Sequence, residues 1–148
     1  MGYLSATGLR QAVQAQCVAD LTGWKRSIYP WDLFPAMGRP LEHKAFAVGV
    51  GDTSPYVPED RQRPTYGTPA TIDVTVSYTM RLRADALVSD YDAALTAEAE
   101  IIQSAMSTSN AGLMAITFVS AARNVIGEGT VYRGDVVFKC YFRLQLEA

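Results

Sequence analysis

The sequence contains very few of the side chains on which most catalytic and metal sites depend. It has one histidine, His43, and two cysteines, Cys17 and Cys140, among 148 residues. A Ser–His–Asp or Cys–His site would have to include His43, and no G-x-S-x-G turn is present to carry a nucleophile. One histidine and two distant cysteines supply neither a zinc ligand set nor a disulfide framework. The sequence therefore predicts no catalytic, cofactor or metal site, and it predicts two reduced cysteines that pack as small hydrophobic residues.

Excess positive charge and long apolar runs are also missing. Thirteen lysines and arginines stand against fifteen aspartates and glutamates, which gives a formal net charge of −2. Because proteins that read a DNA duplex usually carry a basic face, this balance argues against sequence-specific DNA binding. No apolar run approaches the roughly 20 residues that span a bilayer. The start, Met1–Ser5, lacks the basic and apolar regions of a secretory signal, so we expect a soluble protein with no membrane partner.

Three short patterns resemble functional motifs but have simpler explanations. The G-x-G at positions 49–51 lacks the third glycine of a dinucleotide fingerprint and no helical pattern follows it, which favours a turn. Asp90 and Asp92 could form an acid pair, but they fall in the predicted first turn of a helix, where the helix dipole favours negative charge. Glu98 and Glu100 fall in the middle of that helix, where a solvated face is the simplest expectation.

The remaining composition is that of one globular domain with two helices. Hydrophobic residues make up 49% and charged residues 19% of the chain, and neither repeats nor low-complexity tracts are present. We therefore expect a single domain over residues 1–148. Apolar residues at helical spacing predict one helix over Ser5–Thr22 and a second that opens with Ser89 as its N-cap and ends near Asn110.

Alternation of apolar and polar residues predicts four strands. The clearest covers Ile72–Leu82, and the others are His43–Val50, a run from Met114 towards Val125, and Val136–Leu146. Two amphipathic helices and four strands with one apolar face each predict an α+β fold of two layers. Both helices are expected to cover one face of a mostly antiparallel four-stranded sheet, in the order α-β-β-α-β-β.

Two connections have unusual compositions. The segment Trp24–Glu42 holds three prolines, which exclude a helix, and several large rings, which should be buried in the domain or against a neighbouring subunit. These rings belong to Trp24, Tyr29, Trp31 and Phe34. The segment Gly51–Pro69 is a polar, proline-rich loop that contains Arg61 and Arg63. Loops longer than about 12–15 residues are usually functional or disordered.

Arginine on the long predicted strand is the main charged feature of the sequence. Strand alternation places Arg81 and Arg83 on the polar face. Two interpretations remain open, a solvated sheet face or salt bridges to a neighbouring subunit, because guanidinium groups pair well with carboxylates at interfaces. The candidate partner carboxylates are Asp90, Asp92, Glu98 and Glu100.

The order and spacing of these elements resemble the lambda-like bacteriophage tail terminator proteins, also called minor tail or tail completion proteins. The segments that carry the resemblance are Leu9–Val13, Ala45–Val50, Ile72–Leu82, Ser89–Leu95 and Val136–Leu146. The likeness covers most of the chain. It is a likeness of order and spacing without an invariant motif, and the aromatic connection is longer than is usual for the family.

The resemblance implies a non-enzymatic virion protein that forms a hexameric ring at the head-proximal end of the tail and assembles in the host cytoplasm. Such a ring caps the tail tube, ends its polymerisation and presents the surface to which a filled head attaches. Its partners would be further copies of itself, the major tail tube protein and a head-completion or connector protein, with DNA only as passing cargo. The implied subunit-interface candidates are Arg81, Arg83, Asp90, Asp92, Trp24, Tyr29, Trp31 and Phe34, and the candidates that face the tube or its channel are Arg61 and Arg63.

Two other interpretations stay open at this point. The chain could be another ring component of the head–tail junction, such as a head-completion protein. It could also belong to a different class, the small-ligand-binding or hydrolytic α+β domains. The particle mass in solution separates a ring from a monomer, and a deep apolar pocket in a stable monomer would favour the second class.

Overall fold

The part of the chain that the structure describes contains two helices and five strands. The computed structural model describes residues 4–27, 43–55, 69–126 and 131–144. The helices are α1 (Ala6–Asp20) and α2 (Leu87–Met106), and the strands are β1 (Lys25–Arg26), β2 (Ala45–Pro55), β3 (Pro69–Arg81), β4 (Leu113–Ile126) and β5 (Val131–Arg143). The α+β class is confirmed, but the predicted count of four strands is wrong. A strand of two residues, β1, is too short to leave an alternating pattern in the sequence.

The five strands form one sheet in the order β1-β2-β3-β5-β4. All neighbouring pairs are antiparallel except β1 and β2, which run parallel. β3 and β5 pair without interruption from Pro69↔Arg143 to Arg81↔Val131, although α2 and β4 lie between them in the chain. β4 therefore occupies one edge of the sheet, and its pairing with β5 shifts register twice, between Leu113 and Ala115 and between Phe118 and Ser120.

Several element boundaries differ from the sequence predictions. β2 continues through Gly51 to Pro55, which were assigned to the polar loop, because exposed polar residues there pair with β3 without adding an apolar face. α2 begins at Leu87, without a side-chain cap, rather than after Ser89. It ends at Met106, and Asn110 instead accepts a hydrogen bond from the Gly112 amide in the following turn.

The core lies between the sheet and the two helices. The alternation predicted for the long strand is confirmed from Ile72 to Met80, where the apolar residues are almost fully buried. Leu82 lies beyond the end of β3 and is partly buried. α1 packs on β2, α2 packs on β3, β4 and β5, and the helices contact each other. The buried strand residues on this face include Phe46, Val48, Ile72, Val74, Val76, Tyr78, Tyr132, Val136, Phe138, Cys140 and Phe142. Burying each large apolar side chain contributes about 1.5–3 kcal/mol.

An aromatic cluster around Tyr78 occupies one end of this core. The Tyr78 ring meets Trp24 edge-on at 5.7 Å between centroids, and its hydroxyl lies 3.3 Å from that of Tyr132. Gly134 is the register partner of Tyr78 on β5, and a Cβ at Gly134 would overlap the Tyr78 ring. The absence of a side chain at Gly134 therefore creates the space in which Tyr78 is buried.

Candidate interaction surfaces

The connection from β3 to α2 is held by an ion pair between Arg83 and Asp90. The Arg83 backbone N–H and Nε both donate to Asp90 Oδ2, at 2.7 and 3.0 Å, and Nη2 donates to Oδ1 at 2.8 Å. These side-chain bonds, and then the backbone bond, lower the pKa of Asp90 to about 2. β3 ends at Arg81, so the prediction that Arg83 continues the polar face of the strand is wrong. Asp92 is exposed and lies two residues beyond the first turn, so the prediction that both aspartates fall in that turn is wrong for Asp92.

The Arg83–Asp90 pair predicts a specific loss of stability in acid. Because the pKa of Asp90 is lowered from 3.8 to about 2, the carboxylate stabilises the fold fully above about pH 4, and this contribution disappears as the pH falls towards 2. Urea unfolding should show Asp90→Asn less stable than the wild type at neutral pH, with the two converging near pH 2. The matched control is Asp92→Asn on the same helix, for which the pH dependence should stay close to that of the wild type. A constant difference between Asp90→Asn and the wild type across this range would contradict the prediction.

His43 lies at the surface and has a structural contact. Its Nδ1 accepts a hydrogen bond of 3.1 Å from the backbone N–H of Arg81, which holds the end of β3 beside the start of β2. Partial burial, followed by the charges of Lys44 and Arg81, lowers the pKa of His43. The imidazole is therefore mainly neutral at pH 7 and able to accept this bond.

The face of the sheet opposite the helices is partly buried and partly apolar, rather than polar and exposed to solvent along its whole length. Ser77 and Thr79 on β3 are fully buried, and Ala45 and Ala47 form a second small apolar cluster across from them on β2. Ser77 Oγ also donates a short hydrogen bond to Asp135. The prediction that this whole face meets water or a partner is therefore wrong near β2. Its exposed part includes Asp73, Arg81 and Lys139.

A second ion pair ties α2 to β4. Arg123 donates through Nε and Nη2 to the two carboxylate oxygens of Glu98, at 3.0 and 2.7 Å. Glu98 is buried, so the expectation that it lies on a solvated helix face is wrong. Because Arg123 lies on β4, this pair shows that the Glu98 flank of α2 faces β4.

Beside this pair is a surface that we call the α2–β4 groove, formed by the apolar side chains on that flank of α2 and on β4. Tyr91 lies on the same flank, and its ring meets Tyr132 at 5.9 Å. Tyr132 is the register partner of Val125 on β4. The large side chains exposed along the groove are Val88, Tyr91 and Met106 from α2, and Phe118 and Val125 from β4.

Sequence reasoning missed this groove, although a signal for it was present. Val88, Tyr91, Leu95, Ile102 and Met106 recur at helical spacing beside the buried stripe of α2. The sequence prediction placed Tyr91, Leu95 and Ile102 in one apolar stripe with Ala94, Ile101 and Ala105, and it did not include Val88 or Met106. The sequence does not show that the sheet is too narrow on the β4 side to cover both stripes.

Two clefts lie on the opposite flank of α2. One, of about 380 Å³, is lined by Trp24, Lys44 and Glu100 among others. The second, of about 290 Å³, includes His43 and the Arg83–Asp90 pair. If the chain bound a small polar molecule, these clefts would be the places to test.

The remaining predicted site residues divide into two groups. Trp24 is half-buried against Tyr78 and so packs within its own chain. Tyr29, Trp31, Phe34, Arg61 and Arg63 lie outside the described residues. Within the described ranges, no three His, Cys, Asp or Glu side chains are placed to hold a metal ion. Neither α1 nor α2 is long and apolar enough to cross a membrane.

Comparison with known proteins identifies a similar fold in a chain of a gene transfer agent particle. No protein-family model and no curated protein matches the chain. Among solved structures, a chain from the virion of a native gene transfer agent particle has a TM-score of 0.57 with 18% sequence identity. The alignment covers 95% of this chain and 98% of that one. At this identity the likeness shows a shared fold over almost the full length of both chains.

Proposed function

We propose that this chain is a non-enzymatic structural protein of a phage-type virion, and that it forms the ring that terminates the tail tube. The observation that carries the proposal is the shared fold with a virion chain over 95% of this sequence. The alignment also covers 98% of the virion chain, which supports a similar role. The order of elements on which the tail terminator resemblance rests supports the finer assignment.

The proposed activity is the arrest of a polymerisation. A tube grows because each exposed ring is a template for the next ring. A terminator matches that exposed end on one face and presents no such template on the other, so growth stops after it binds. Several copies acting together make weak individual contacts nearly irreversible through multivalency. No covalent chemistry is needed for this function.

The proposed partners follow from this position in the particle. One face of a hexameric ring meets the major tail tube protein, and the other meets a head-completion or connector protein at the head-proximal end of the tail. DNA passes through the ring as cargo. The net charge of −2 supports this, because a strongly cationic channel would bind the phosphate backbone.

The structure changes the choice of interface residues within this proposal. Asp90 is already paired with Arg83 in its own chain, so neither is the best choice for a contact with another subunit. Asp92 is exposed and remains a candidate. Arg81 is also exposed but already interacts within its own chain, so its role at an interface stays a prediction. The aromatic residues Tyr29, Trp31 and Phe34, and the loop residues Arg61 and Arg63, remain predictions outside the described residues.

Tube assembly in vitro tests this function. Purified chain added to polymerising tail tube protein should give tubes that stop growing, with the chain labelled at one end only, as measured by electron microscopy with gold labelling. The purified ring should have about six times the chain mass of 16.1 kDa. Tubes that grow to the same length with and without the chain would contradict the proposal.

The same experiment distinguishes a tail terminator from the second candidate, another ring protein of the head–tail junction. The fold shared with a virion chain is consistent with this candidate too. A head-completion protein would bind the head connector and leave tube length unchanged. A stable monomer that binds a small molecule in the clefts beside α2 would favour the different class of ligand-binding domain.

A further inference from the structure

The two clefts on the Trp24 side of α2 adjoin each other, and we call them together the α2 cleft. They share three lining residues, Lys44, Met80 and Ala93. The smaller part, of about 290 Å³, reaches His43, and the larger part, of about 380 Å³, reaches Trp24. One end is therefore lined by ionisable groups and the other by an aromatic ring, which is the composition of a site that both orients and packs a ligand.

Positive charge surrounds the His43 end of the α2 cleft. His43 is within electrostatic reach of Lys44, Arg81 and Arg83, and of one carboxylate, Asp90. Asp90 is bonded to Arg83, and Arg81 already has an interaction of its own. Lys44 forms no ion pair among the described residues. The ammonium group of Lys44 can therefore pair with an anion that enters the cleft.

Two further donors at this end have a defined orientation. Because Nδ1 of His43 accepts a hydrogen bond from the backbone N–H of Arg81, the proton of the neutral ring lies on Nε2, which can donate. The Arg83 guanidinium is held through Nε and Nη2 by Asp90, whose side chain is only 4% exposed. Nη1 of Arg83 is left for another acceptor. Charged donors gathered in this way favour an oxyanion such as a carboxylate.

The rest of the α2 cleft indicates that this anion belongs to a peptide. The lining continues from Lys44 with Trp24, Met80 and Ala97, and then includes the carboxylate of Glu100. A nucleic-acid backbone carries regularly spaced phosphates and needs a row of cations, whereas here the cations give way to apolar side chains and a carboxylate. An acidic side chain next to a large apolar one matches both ends of the cleft.

We propose that the α2 cleft binds a short peptide segment of a partner protein, with an acidic side chain at the His43 and Lys44 end and a large apolar side chain against Trp24 and Met80. The carboxylate accepts hydrogen bonds from Nε2 of His43 and from the ammonium of Lys44, with Arg83 beside them. This site goes beyond the terminator function and does not depend on it, because it is argued from the cleft alone.

A titration followed by NMR tests the site, since His43 is the only histidine and its imidazole signals report on this cleft. The probe is the capped peptide acetyl-Leu-Glu-Leu-amide, added to the purified full chain. It should shift the His43 imidazole signals in a saturable way. The neutral control, acetyl-Leu-Gln-Leu-amide, should bind about threefold to fivefold more weakly, because it lacks the ion pair.

A pair of variants identifies the cation that matters. Lys44→Gln should weaken binding of the acidic peptide by a factor of about three to five. The matched control is Lys139→Gln, which removes the same charge at an exposed position on the other face of the sheet and should bind like the wild type. Thermal melting followed by circular dichroism checks that both variants are folded.

Binding should also strengthen as the pH falls from about 7.5 to about 5.5, because the His43 imidazolium adds a positive charge beside the carboxylate. Asp90 stays ionised over this range, since its pKa is about 2. By linkage, the midpoint of the His43 titration should rise when the acidic peptide is bound. A midpoint that the peptide leaves unchanged would contradict the proposed contact.

The remaining outcomes decide between ligands. The proposal is overturned if the acidic peptide does not shift the His43 signals, if the neutral peptide binds equally well, or if folded Lys44→Gln binds like Lys139→Gln. A short single-stranded oligonucleotide that shifts the same signals at lower concentration than the acidic peptide would also overturn it, and would assign the cleft to nucleic acid.

Discussion

Replacing Gly134 with alanine is expected to lower the free energy of unfolding by about 3 kcal/mol, because the added methyl group enters a space that is already filled. The new Cβ would overlap the ring of Tyr78, which is fully buried. Tyr78 cannot move away easily, since Trp24 packs against its ring and Tyr132 lies beside its hydroxyl. Chemical denaturation at neutral pH measures the effect.

Gly51 provides the matched control, because it is also a strand glycine. A Cβ at Gly51 would lie 3.7 Å from the nearest atoms, both in Asp73, which is an ordinary contact. Gly51→Ala should therefore change stability little, or increase it by up to about 1 kcal/mol, because alanine loses less backbone entropy on folding. In a Tyr78→Ala background, Gly134→Ala should cost much less, because the ring that it meets is gone. Equal costs at Gly134 in both backgrounds would show that the Tyr78 contact is not the cause.

The two cysteine thiols should react at least about 100-fold more slowly in the folded chain than in the unfolded chain. Burial raises the pKa of Cys17 from 9.0 to about 11 and that of Cys140 to about 12. Because the thiolate is the reactive form, this shift alone reduces the reactive fraction by that factor, and burial also blocks the reagent. Both cysteines are fully buried and neither forms a disulfide.

Reaction with a chromogenic disulfide reagent at mildly alkaline pH measures this protection. Two thiols should react at once in denaturant and almost none in its absence. Each of the variants Cys17→Ala and Cys140→Ala keeps one thiol, so its slow reaction in the native chain belongs to that thiol. The rate of this reaction should follow the rate at which the fold opens. A thiol that reacts rapidly in the native chain would show that its part of the core opens locally.

The core could be predicted from the sequence because its cause is local periodicity. Alternation along Ile72–Leu82 identified the buried face of β3, and four-residue spacing identified the stripe of α1. The face opposite the helices could not be predicted, because its burial depends on neighbours distant in the chain. Ser77 and Thr79 are polar and were expected at a surface, yet they are buried beside Ala45 and Ala47.

The ion pairs show a similar limit for the candidate site. For Arg83, Asp90 and Glu98 the sequence favoured solvated or helix-terminal positions, with pairing across a subunit interface as the alternative, and it does not reveal whether a partner lies in the same chain. The helix start at Leu87 places Asp90 in reach of Arg83, and the β4 edge places Arg123 in reach of Glu98. Predicting these pairs requires the position of α2 over the sheet, which depends on the packing of the whole core.

The pairing of β3 with β5 also determines how a newly made chain must fold. β3 is synthesised before α2 and β4, so it carries one apolar face and one unpaired edge until β5 follows. The β4–β5 hairpin forms from residues that are close in the chain, whereas its addition to β3 closes a long loop and is slower. During synthesis, the interval between the emergence of β3 and that of β5 is therefore when the chain is most exposed to aggregation, and slow translation through α2 and β4 would lengthen it.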